Sequence, residues 1–194
     1  IIFNLDGYGP AWEPEAARRG LLNNKDTADA TEVFFEKKNI DVFVSQGVYT
    51  EEEAVARAMV RLENYVKIIN IEALTMLKMA KQDIIPAVSD YVAELCSNVA
   101  AKKAISENIP CETEKGLITR LSALNDSFAK EVAKLESLLA GIDKEDVRPA
   151  SKAMAHEVLP RMQAMRKIAD EMETLTAEDY WPYPSYTELL YSVK

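Results

Sequence analysis

Thr50-EEEAVARAMVRLENYVKIINIEALTMLKMAKQDIIPAVSDYVAELCSNVAAKKAI-Ser106 is the stretch that decides the fold. Thr50-Glu51-Glu52-Glu53 reads as a capping box, in which the Thr50 hydroxyl accepts from the Glu53 amide and Glu53 reaches back. Three carboxylates in the first turn suit the positive end of the helix dipole. No Gly and a single Pro interrupt the run that follows. Leu62, Val66, Ile69, Ala73, Met76 and Ala80 recur at alternating steps of four and three, the seam of a helix lying along its neighbours. Pro86 removes one backbone bond and is expected to kink the helix. Beyond it Val88, Val92, Leu95 and Val99 resume a stripe. About 55 helical residues at 1.5 Å each span ~80 Å.

Two more long helices follow. One, from about Thr113 to Ala140, carries Leu117, Leu121, Leu124, Phe128, Val132, Leu135 and Leu139, with Gly141 as its stop. Asp143 is expected to cap the other, which runs to about Thr176 with Val158, Met162, Met165, Ala169, Met172 and Leu175 as its stripe and a bend at Pro160. Short connections make the three antiparallel neighbours. The first fifty residues are broken up. Ile1 to Leu5 reads as a short strand, Asp6 to Pro10 as a turn, and three short helices follow, the first stopped by Gly20 and the last by Gly47. At the other end Tyr180, Trp181, Tyr183, Tyr186 and Tyr191 crowd a Pro-stiffened tail, in which Ser185-Tyr186-Thr187-Glu188 forms another capping box.

The fold class is therefore all-α: a long kinked central helix in an antiparallel three-helix bundle, preceded by an irregular segment with short helices and followed by an aromatic tail. The divisions fall at residues 1–50, 51–178 and 179–194. The net charge of −9 argues against nucleic acid and against an anionic membrane surface as partners. The richest apolar stretch, Ile68 to Ala80, is broken by Asn70, Glu72 and Lys78 and falls short of the ~20 residues a membrane span needs. Two cysteines are too few for a disulfide scaffold and read as reduced thiols of a cytoplasmic protein, Cys96 in the core and Cys111 exposed in a loop, in preference to a Cys96–Cys111 bridge. The chain opens on Ile1-Ile2-Phe3 with no Met, an apolar start that leads us to expect a neighbour upstream.

A search for chemistry yields no catalytic, cofactor or metal residue. His156 is the sole histidine, and residue 153 is Ala, so paired Glu-x-x-His motifs are missing. Asp6-Gly7-Tyr8-Gly9 has no Lys-Ser/Thr after it and reads as a turn, not a phosphate loop. Glu51, Glu52 and Glu53 point in different directions from consecutive helix positions, which suits capping and not a metal. The methionines Met76, Met79, Met154, Met162, Met165 and Met172 fall mostly at core spacing, the alternative being a Met-rich groove.

Longer runs carry more. FNLDGYGPAWEPEAARRGLLN from Phe3, FVSQGVYTEEE from Phe43, RLENYVKIINIEALTMLKMAKQDIIPAVSDY from Arg61 and EDYWPYPSYTELLYSV from Glu178 resemble, in order, the C-terminal region of type III glutamine synthetases. That resemblance implies a parent enzyme joining ammonia to glutamate through a γ-glutamyl phosphate made from ATP with Mg or Mn. It implies ring-based homo-oligomers, and a catalytic domain upstream of Ile1 that holds the ATP, metal and glutamate contacts. The chain's partners would be that domain and the other subunits. Its role would be an accessory and assembly region, inactive alone, the alternative being a free-standing helical protein–protein interaction module. Ile68, Ile69, Ile71, Leu74, Met76, Leu77 and Met79 leave little polar face on the long helix, so Ile68, Ile71, Leu74 and Leu77 are the candidate interface. Trp181 and Tyr183 join them as aromatics that are expected to dock on the body of the chain or on a neighbour.

Overall fold

Thr50 starts the dominant element as its sequence requires. The Glu53 amide donates to the Thr50 hydroxyl at 3.2 Å, and the Thr50 amide donates to the Glu53 carboxylate at 2.9 Å. From this box α4 runs over Glu51–Met79, a π turn follows over Ala80–Ile84, and α5 continues over Ile85–Ile105. The three form one helix of 55 residues. The π turn answers Pro86. A proline ring pushes away the carbonyl four residues before it. One turn earlier the Ile85 amide bonds the Ala80 carbonyl, five residues back, which widens the helix just ahead of the ring. Pro160 repeats the pattern, with a π turn over Met154–Val158 immediately before it.

The computed structural model describes residues 3–191. Among them it is built of helices, with no strand. The remaining helices are α1 (Trp12–Arg18), α2 (Thr27–Glu32) with a 3₁₀ turn (Val33–Phe35), α3 (Lys37–Ser45), α6 (Glu112–Gly141), α7 (Val147–Ala153), α8 (Leu159–Leu175) and α9 (Tyr186–Tyr191). The strand expected at Ile1 to Leu5 does not form over Phe3 to Leu5, and Ile1 and Ile2 lie outside the described residues. No helix among the described residues is long and apolar enough to cross a membrane.

The chain divides into two compact units, residues 1–66 with 145–155 and residues 67–144 with 156–194. In the first unit small side chains let short helices approach closely. Ala16, Ala28, Ala54, Ala58 and Ala150 are all buried, as are Ile40, Leu62 and Val66. Gly20 and Gly47 take φ of 67° and 64° and close α1 and α3, with the Leu21 amide bonding Ala16 O at 2.9 Å and Val48 bonding Phe43 O at 2.9 Å. Asp26 caps α2 by accepting from the Asp29 amide at 2.8 Å. Arg148 of α7 grips Glu32 with two bonds, Nε at 3.1 Å and Nη2 at 2.5 Å, and lies 4.5 Å over the Phe35 ring. Those bonds hold the Glu32 carboxyl below the usual carboxylate range.

In the second unit α6 pairs with two helices, antiparallel to each. Against the long helix its polar partners run Lys81 to Glu136, Ser89 to Asn125 and Lys102 to Glu114, one number rising as the other falls. Against α8 they run Arg120 to Glu171 and Arg161 to Glu131. Between these pairs Leu121, Leu124, Phe128, Val132, Leu135 and Leu139 are buried together with Val88, Leu95, Val158, Met162, Met165 and Met172.

Three local expectations fail. Asp143 caps no helix: Asp146 precedes α7, without a side-chain cap. Gly141 ends α6 without the left-handed backbone of Gly20 and Gly47; the Lys144 ammonium takes the Leu139 carbonyl at 3.0 Å instead. The two thiols exchange places, and both are free. Cys96 is exposed and Cys111 is buried. Cys96 follows Leu95, and one step of about 100° around the helix carries it off the buried stripe. Cys111 sits at the N-terminus of α6, where the chain turns inward and its Sγ meets the Ile109 carbonyl at 3.5 Å.

Candidate functional site

The described residues offer two surfaces, one on each unit. The first follows the helix face read from the sequence. Ile68, Ile71 and Leu74 stand 54%, 62% and 53% exposed, an apolar ladder on the solvent side of α4. Leu77 does not join them. It is buried with Ile69, Ala73 and Ala80, because steps of three and four alternate along the inner row and the outer row drifts away from it. Burial of the ladder by a partner removes about half of each side chain from water, roughly 1 kcal/mol apiece at ~25 cal/mol per Å².

Trp181 and Tyr183 sit in the same unit and are half-buried. With Met76, Met79, Met162 and Met165 they wall a groove of about 650 Å³ whose floor includes Phe128. The Tyr183 hydroxyl donates to Asp83 Oδ2 at 2.8 Å, and the Tyr180 ring packs 5.2 Å from Tyr91. Burial, then the bond to Asp83, push the Tyr183 phenol up to about 12. The aromatic tail therefore docks on its own bundle. It is locked at its far end by the second capping box, in which Ser185 N donates to Glu188 at 2.7 Å. The methionines divide: Met162 and Met165 reach the groove from the buried core, whereas Met79 is 36% exposed at it.

The second surface was not legible from periodicity. In the first unit Phe34, Phe43 and Tyr49 form one wall of a groove of about 510 Å³, and Ala54 and Ala58 of α4 contribute small side chains to its lining. Phe34 and Phe43 lie parallel, 6.5 Å between ring centroids and 6° between planes, and Tyr49 tilts against Phe43 at 5.6 Å. Arg57 lies 4.6 Å over the Tyr49 ring and Arg61 5.0 Å over Phe34. The sequence signal was present: three aromatics before the Thr50 box and two arginines one helical turn apart after it.

Residues 1–103 match the family model of the glutamine synthetase C-terminal domain. Over its whole length the chain is 33% identical to a glutamine synthetase of Butyrivibrio fibrisolvens, the alignment covering 100% of the chain and 28% of that protein. It is 28% identical to a glutamine synthetase of Bacteroides fragilis, over 99% of the chain and 27% of the relative. A type-3 glutamine synthetase of Dictyostelium discoideum is 26% identical over 98% of the chain and 27% of its own length. The chain thus spans little more than a quarter of the curated relatives it matches.

Proposed function

We propose that this chain, which belongs to the glutamine synthetase C-terminal domain family, is the helical accessory and assembly region of a cytoplasmic ATP-dependent glutamate–ammonia ligase. In this reading the parent joins ammonia to glutamate at the cost of ATP. The nucleotide, the Mg or Mn ion and the reacting groups belong to the catalytic domain of the same polypeptide, and no residue of this chain is assigned to them. The chain's own work is mechanical. A rigid helix, pinned by the antiparallel pairs to α6, presents Ile68, Ile71 and Leu74 to another subunit of a homo-oligomer.

The observation that carries the reading is that ladder. Three large aliphatic side chains at successive turns are more than half exposed on a helix whose opposite face is core. Such a row favours a partner, since exposed apolar surface that is contiguous marks contact sites.

The test places a charge on the ladder. Leu74→Glu in the full-length enzyme is expected to weaken assembly, read by size-exclusion chromatography with light scattering. In the 194-residue chain the same change is expected to leave helicity intact, because Leu74 is half in water already. Unchanged assembly with an unfolded fragment would make Leu74 a core residue and sink the interface. The chain alone is expected to form no glutamine from ATP, glutamate and ammonia with either ion; turnover above background from pure chain would overturn the non-catalytic role.

A further inference from the structure

The arginines of this chain are spoken for, with two exceptions. Arg18 and Arg19 bind Glu15, Arg120 binds Glu171, Arg148 binds Glu32, Arg161 binds Glu131 and Arg166 pairs with Asp170. Among the described arginines only Arg57 and Arg61 show no carboxylate partner, although acidic side chains outnumber basic ones by 32 to 23. The two stand one turn apart on the same face of α4 and line the same groove. Glu53, the acid four residues before Arg57, is already committed to the Thr50 amide.

Their posture is also informative. Each guanidinium lies over an aromatic ring, Arg57 on Tyr49 and Arg61 on Phe34. Stacking on a ring satisfies the face of a guanidinium and leaves its N–H edge to bind. A planar fork held over a ring in this way is preorganised for a two-oxygen acid, which it grips with charge-assisted bonds. Beside the forks the groove is apolar at Phe34, Phe43, Tyr49 and Val60, and its one acidic lining residue, Glu53, accepts from the Thr50 amide at 2.9 Å. The chemistry that fits is an acidic group carried next to an apolar one.

We propose that this groove seats an Asp or Glu side chain and its apolar neighbour, contributed by the part of the parent polypeptide outside this chain, with Arg57 and Arg61 clamping the carboxylate. This rests on the reading of the chain as one region of a larger ligase, of which it spans about a quarter. Charge complementarity selects an acidic occupant. The aromatic wall selects an apolar companion to the acid, which a free inorganic anion lacks.

The test uses the full-length protein with Val60→p-benzoylphenylalanine, since Val60 lines the groove and is 53% exposed. Illumination is expected to cross-link it to a peptide from outside this chain that carries Asp or Glu beside an apolar residue. Arg57→Gln with Arg61→Gln is expected to cut the yield about fivefold or more, on the scale of losing one charge-assisted contact. Circular dichroism checks that the double variant stays helical, as two exposed side chains require. Cross-links confined to this chain, or a yield indifferent to the double variant, would overturn the proposal. So would binding of ATP or glutamate to the 194-residue chain by calorimetry that the double variant abolishes, which would make the groove a small-anion site. Leu74→Glu leaves this groove untouched, so loss of ring assembly and loss of the cross-link fail separately.

Discussion

Tyr183→Phe isolates what holds the aromatic tail. The substitution keeps the ring against Met76, Met79 and the other groove side chains and deletes one hydroxyl, the donor to Asp83 at 2.8 Å. A bond to a charged acceptor is worth ~1.5–3 kcal/mol when well buried. Here both partners are half-buried and water replaces part of the loss, so about 1 kcal/mol is expected, or a roughly fivefold rise in the released tail. The loss is local: amides of residues 180–191 exchange faster by that factor, while those of α6 do not change. Alkali supplies an independent check. The docked phenol titrates at about 12 against an ordinary 10.0, so its contribution is complete below pH 10. Between pH 10 and 12 the released tail gives up its proton first, and docking weakens as pH rises. Wild type should therefore lose tail protection through that window, and the Phe variant should lose less. Equal exchange in the two proteins, with parallel alkaline profiles, would show that ring burial alone docks the tail.

Other outcomes follow from the packing. A thiol reagent added to folded protein is expected to modify Cys96 and spare Cys111 until denaturant is present, as mass mapping of the adduct will read. Phe128→Ala empties a site 2% exposed and is expected to cost ~3–5 kcal/mol in urea unfolding, whereas Ile68→Ala on the ladder should fall within ~0.5 kcal/mol. Gly116→Ala, in open space inside α6, is expected to stabilise by ~0.5–1 kcal/mol through a smaller loss of chain entropy. Gly47→Ala is expected to destabilise by ~1–2 kcal/mol, because its φ of 64° strains any residue with a Cβ. Thermal melts of the pair should move in opposite directions.

Local rules made much of the fold legible in advance. The Thr50 and Ser185 boxes, the glycines at 20 and 47 and the leucine stripe of α6 depend on neighbours within a turn or two, and the chain states those neighbours outright. Period 3.6 patterning identified α6 and α8 as helices that bury one side, and antiparallel pairing followed from short connections. The family resemblance was legible for a different reason, since long ordered runs of residues are specific even where no chemistry is visible.

Placement across the chain was not legible. Cys96 and Cys111 each had a local pattern pointing the wrong way, because burial depends on which face a partner covers and on where a loop turns. Ile68 and Leu77 are both aliphatic residues of one helix, yet only the packed bundle separates a core row from an exposed one. The Arg148–Glu32 clamp joins residues 116 positions apart, and no local signal marks it. The same holds for Arg57 and Arg61. Their residue types stood in the sequence, but that they show no acid partner, lie over Tyr49 and Phe34 and edge a groove is decided by tertiary structure, since an ion pair or a ring contact exists only once distant side chains have been brought within a few ångströms.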